Sequence, residues 1–153
     1  MEAAADDRTL RLVRMFDAPR ERLYAAWTDR EQFAQWFGPQ GVTTVSCDID
    51  VRVGGTWRMM GRGAEQRYAV SGRYLEVKPP ERLSFTWAFH EKDDHATPRG
   101  HETIVTIEFK ALGGKTQMTM VQGSFATRTD TEAHNRGWTS TFTKLDALLA
   151  RTA

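Results

Sequence analysis

His90, His95 and His101 stand with Asp93 and Asp94 in the stretch HEKDDHATPRGH, and imidazole with carboxylate is a donor set that zinc accepts. Such a site needs fixed geometry, and no pair here has the i, i+4 spacing of a zinc-binding helix. The stretch reads as a charged hairpin loop over 91–100, and no metal is expected. Cys47 is the only cysteine, which excludes an internal disulfide and a cysteine-based zinc cluster. Alternation turns it inward, where it reads as a small buried hydrophobe and not a reactive thiolate. By position, Arg58, Tyr74, His134 and Thr141 are the polar side chains for general acid-base work in an interior pocket, where desolvation shifts pKa values. No pair among them has a diagnostic spacing, so no catalytic residue is assigned. A nucleophile elbow, a phosphate loop and a dinucleotide fingerprint are absent, and Gly61-Arg62-Gly63 lacks the strand-to-helix context of one. No cofactor is expected.

The elements that must position these groups follow from the periodicity. A chain of 153 residues, 40% hydrophobic and 27% charged, has the size and composition of one globular domain. The net charge of +1, with Arg and Lys interspersed among Asp and Glu, argues against a nucleic-acid partner. No stretch approaches the ~20 apolar residues of a membrane span, and Met1 to Asp7 lacks the pattern of a secretory signal. A cytoplasmic protein is expected, with one domain over 8–151 and disordered stretches over 1–7 and 91–100.

Residues 9–16 alternate as a first strand, stopped by Asp17-Ala18-Pro19. A short helix with Leu23, Ala26 and Trp27 on one face follows, then a second with Phe33, Trp36 and Phe37, for which Thr28 and Glu31 offer a capping box. The period then becomes two. Val45, Cys47, Ile49 and Val51 share one face of a strand, Gly54-Gly55 turns the chain, and strands follow around Trp57 and Met59, over 67–77, and around Phe85, Trp87 and Phe89. Val105, Ile107 and Phe109 mark the next, and a Gly113-Gly114 hairpin leads to Met118 and Met120. A long helix ends the chain, with Thr129 and Glu132 as a capping box and a stripe of Trp138, Thr141, Phe142, Leu145, Leu148 and Leu149.

This order specifies an α+β fold in which a curved antiparallel sheet of about seven strands must cover one face with the C-terminal helix. Sheet twist lifts the ends away from the helix axis and opens a cavity. Its expected lining is Trp36 and Phe37 from the second helix; Trp57, Met59, Tyr74, Phe85 and Trp87 from the middle strands; Met118 and Met120 from the last strand; and Trp138, Thr141 and Phe142 from the long helix. Aromatic and Met side chains commonly line small-molecule pockets, and at these periods they equally make ordinary core. Gly137 beside Trp138 fits either a cavity or a close helix-to-strand contact.

Several segments in order resemble one family: Phe16-Asp17-Ala18-Pro19, Ala26-Trp27-Thr28-Asp29, Trp36-Phe37-Gly38-Pro39, Asp50 to Arg58, Gly72 to Val77, Pro80 to Trp87, and Gly137-Trp138. Together they are similar to the bacterial relatives of the C-terminal module of the activator of heat-shock protein 90 ATPase, in the START-like (SRPBCC) superfamily. The resemblance implies the helix-grip fold. It also implies a binder of a hydrophobic or aromatic small molecule, with a cyclase- or hydrolase-like enzyme and a chaperone ATPase regulator as alternatives. The eukaryotic activator carries an additional N-terminal domain, for which 153 residues leave no room. Monomer and homodimer both stay open.

Overall fold

A computed structural model describes residues 7–64, 67–92 and 94–151. In chain order the elements are β1 (Leu10–Phe16), α1 (Arg20–Thr28), α2 (Arg30–Trp36), β2 (Thr43–Ile49), β3 (Thr56–Arg62), β4 (Arg67–Lys78), β5 (Arg82–Phe89), β6 (Thr103–Leu112), β7 (Lys115–Gly123) and α3 (Arg128–Arg151). The expected strand, two helices, six strands and long helix are all present. Residues 1–6 of the expected disordered stretch lie outside the described residues, as does Asp93.

All strand pairs are antiparallel, in the order β1-β7-β6-β5-β4-β3-β2. The curved sheet grips α3, whose buried stripe is Trp138, Thr141, Phe142, Leu145, Leu148 and Leu149. Spacing of three and four puts these side chains on one helical face, and each large apolar one buried contributes about 1.5–3 kcal/mol. Helix α1 packs on β6, β7 and α3, and α2 packs on β2 and α3. Between them Trp27 and Trp36 meet edge to face at 4.6 Å, and Trp36 Nε1 donates to Ala26 O at 2.8 Å.

Both helix starts differ from the capping boxes expected. Thr28 is the last residue of α1 and its hydroxyl donates back to Tyr24 O, leaving the Asp29 carboxylate to accept from Gln32 N at 3.2 Å. An ionised carboxylate suits the positive end of a helix better than a hydroxyl does. At α3, Thr127 Oγ1 accepts from Asp130 N at 3.0 Å, while Glu132 pairs with Arg128 on the helix surface.

Strand β2 also departs from strict alternation. The register between β2 and β3 shifts between Thr44 and Ser46. That bulge turns Val45 to solvent, at 48% exposure, while Cys47 is buried. The disorder expected over 91–100 is not found among its described residues, which fold over the outer face of β4, with His95 Nε2 3.1 Å from Val70 O and Arg99 Nε donating to Ser71 Oγ. His90 N donates to Ala69 O, Glu91 N to Pro98 O and Gly100 N to Phe89 O, and Ala69 beneath is fully buried.

Candidate ligand pocket

Near its N-terminal half, α3 stands away from β4 and β5 and leaves a solvent-connected hollow of about 260 Å³. Three elements build its apolar wall. Phe37 comes from the loop after α2, Trp87 and Phe89 come from the inner end of β5, and Trp138 comes from α3. Trp87 and Trp138 lie 5.2 Å apart at 50°, and Phe37 reaches both, at 5.7 and 6.1 Å. Alternation along β5 turns Phe85, Trp87 and Phe89 to the same side, and the 3.6 period sets His134, Gly137, Trp138 and Thr141 along one face of α3. A Cβ placed on Gly137 would meet nothing within 4 Å, so the missing side chain is one reason the hollow exists.

His134 shares the wall with two other titratable side chains, Arg67 and Tyr68. Its Nδ1 lies 2.9 Å from Asp130 O, a carbonyl that can only accept, so Nδ1 carries the proton and Nε2 the lone pair. The ring packs against Phe125, Phe89 and Trp87 at 4.6, 5.5 and 6.0 Å. Burial among these rings pushes its pKa below the usual imidazole value, outweighing the bond to Asp130. Seven buried side-chain polar atoms lack a partner among the described residues, and three of them belong to wall residues: Tyr68 Oη, Trp87 Nε1 and His134 Nε2. Each of these atoms is almost wholly buried. Burial likewise moves the Tyr68 hydroxyl far above its ordinary range.

Phe37, Trp87, Trp138 and Thr141, all anticipated from the sequence, line this hollow. The other anticipated lining residues lie elsewhere. Trp36, Met59, Met118, Met120 and Phe142 are packed in the core at 0–1% exposure, with Tyr74 and Phe85 close behind. Trp57 is buried behind the wall, its ring 6.3 Å from Phe37 and 5.6 Å from Trp87, and its Nε1 donates to Thr86 O at 3.1 Å; it also borders a groove on the outer face of the sheet. Among the polar candidates, His134 and Thr141 are on the wall, and Tyr74 is buried away from it. Arg58 is outside, 3.5 Å from Asp48. Cys47 is buried, and desolvation pushes its thiol up to about 11.

The histidines expected in one loop do not converge. His90 and His95 meet edge to face at 5.0 Å, but His101 bonds Ser124 O on another side. Among the described residues no group of three metal-ligating side chains comes together. Sequence reasoning passed over Gly38, Pro39, Arg67, Tyr68, Phe89 and Ala133 on the wall. For Tyr68 and Phe89 the signal was present, since each continues the inward alternation of its strand.

A family model described as activator of Hsp90 ATPase homolog 1-like protein matches residues 17–150. The chain belongs to this family. The activator-homologue crystal structure from Silicibacter pomeroyi superposes with a TM-score of 0.83 at 32% identity, over 95% of this chain and 99% of that one. A Chromobacterium violaceum protein gives 0.78 at 33% identity, over 93% and 96%. A Mycobacterium smegmatis protein at 24% identity has the same fold, with a TM-score of 0.81 over 97% and 94%. No curated protein matches the chain. The helix-grip arrangement of this START-like family is therefore what the activator-like chain adopts, and among its described residues no helix is long and apolar enough to cross a membrane.

Proposed function

We propose that this activator-like protein binds a small, flat, mostly apolar molecule in the hollow between α3 and the β4–β5 end of the sheet. The observation that carries the reading is the aromatic wall of Phe37, Trp87 and Trp138 around an open space beside Gly137. Size sets the ligand class. A dry apolar cavity on the order of 150 Å³ accepts benzene, so about 260 Å³ suits a substituted single ring or a fused pair. Tyr68 Oη, Trp87 Nε1 and His134 Nε2, polar atoms of wall residues without a partner among the described residues, are the groups from which a polar ligand group would draw a hydrogen bond.

The enzymatic alternative for this pocket called for a polar pair within hydrogen-bond reach on its wall. His134 and Thr141 instead each bond a carbonyl of their own helix, Asp130 O and Gly137 O. Binding is the reading this geometry favours. A buried thiol without a disulfide partner agrees with a reducing, cytoplasmic setting. Titration with a panel of one- and two-ring aromatic fluorophores, followed by tryptophan quenching, tests the proposal: saturable quenching by at least one probe supports it, and none across the panel contradicts it.

A further inference from the structure

On the outer face of the sheet, away from the pocket, Ser71 of β4 and His90 at the end of β5 meet with Ser71 Oγ 2.8 Å from His90 Nε2. The other ring nitrogen, Nδ1, lies 2.7 Å from Thr97 O. A carbonyl oxygen only accepts, so Nδ1 holds the proton and the neutral ring presents Nε2 as the acceptor for the serine hydroxyl. Arg99 Nε donates to the same Ser71 Oγ at 2.9 Å, and its second arm donates to Ser71 O at 2.9 Å. A hydroxyl between a base and a guanidinium, with the base oriented by a third group, is the arrangement that activates a serine nucleophile. Of the backbone bonds of the 91–100 segment, Gly100 N to Phe89 O ties it to β5 and Glu91 N to Pro98 O closes it on itself.

The pair borders a polar groove of about 730 Å³. Two residues along β4, Arg73 projects to the same side as Ser71 and borders that groove. Arg99 is paired with Glu102 and Arg58 with Asp48, whereas Arg73 forms no ion pair among the described residues. We propose that Ser71 and His90 form a nucleophile and base that hydrolyse small carboxylic esters whose acyl group carries an anion for Arg73. Ser71 Oγ bonds to the ester carbonyl carbon while its proton passes to His90 Nε2. The bond from that carbon to the alcohol oxygen breaks, and the alcohol leaves with the proton from His90. Water, deprotonated by His90, then cleaves the acyl-serine to give the acid and free Ser71. This site is independent of the ligand pocket.

The test is reaction of the intact protein with an alkyl fluorophosphonate, with the adduct located by peptide mass mapping, beside turnover of p-nitrophenyl butyrate and the p-nitrophenyl half-ester of adipic acid. Expected are an adduct on Ser71, faster turnover of the half-ester, and a loss on the order of a hundredfold in Ser71→Ala and His90→Gln. Arg73→Gln removes the half-ester preference. An adduct elsewhere, no adduct, an adduct without ester turnover, or turnover unchanged in Ser71→Ala overturns the proposal. Equal rates on both esters overturn its substrate class. If Ser71→Ala fails to fold, the position of the wild-type adduct and the His90→Gln rate decide.

Discussion

Trp138 Nε1 donates to Gln122 Oε1 at 2.8 Å, a buried bond that ties α3 to β7 directly behind the pocket. Gln122 Nε2 donates onward to Thr103 Oγ1 at 2.9 Å, so one fully buried amide holds the tryptophan that forms part of the wall. Gln122→Leu strands the indole N–H and removes a partner of Thr103. A loss of roughly 1–3 kcal/mol is expected. Urea unfolding checks it, as a lower midpoint with an unchanged slope.

Gly137 separates helix stability from pocket volume. Its interior helical position and open surroundings predict that Gly137→Ala stabilises the protein by up to about 1 kcal/mol. Gly137→Leu puts its side chain into the hollow and weakens binding of an aromatic probe by roughly tenfold or more, about 1.4 kcal/mol. Thermal unfolding and a fluorescence titration read the two effects.

His134 makes stability depend on pH. Its folded pKa is depressed by burial, so the unfolded chain binds the proton more readily. The contribution is fully present above the unfolded value of about 6.5 and is lost as pH falls through the lower folded value. Urea midpoints at pH 7.5 and pH 5 are expected to drop less between the two conditions in His134→Gln than in the natural chain.

Cys47 is expected to be inert. With its thiol raised to about 11 by desolvation and its side chain buried, almost no thiolate exists near pH 8. Ellman's reagent should react on the timescale of unfolding in buffer and at once in concentrated urea.

Much of this architecture was readable from periodicity. The inward alternation of Phe85, Trp87 and Phe89 and the stripe from Trp138 to Leu149 define which faces must meet, and only a sheet around one long helix satisfies both. The pocket was less legible for a physical reason. Met118 and Trp87 share the inward face of one sheet and carry the same periodic signal. Only the three-dimensional distance from α3 decides that Met118 is packed solid and Trp87 borders a hollow. The bulge beside Val45 carries no glycine to announce it. Ser71 and His90 are brought together by strand pairing and a folded-back segment, which no local spacing encodes.

The most direct test follows the indole N–H resonances of the five tryptophans by two-dimensional NMR during titration with a saturating aromatic ligand. Occupation of the hollow predicts shifts at Trp87 and Trp138 that saturate together, with Trp27 and Trp36 little changed. Saturable shifts at other indoles with none at Trp87 and Trp138, or no saturable shift at all, would contradict a ligand site between α3 and the sheet.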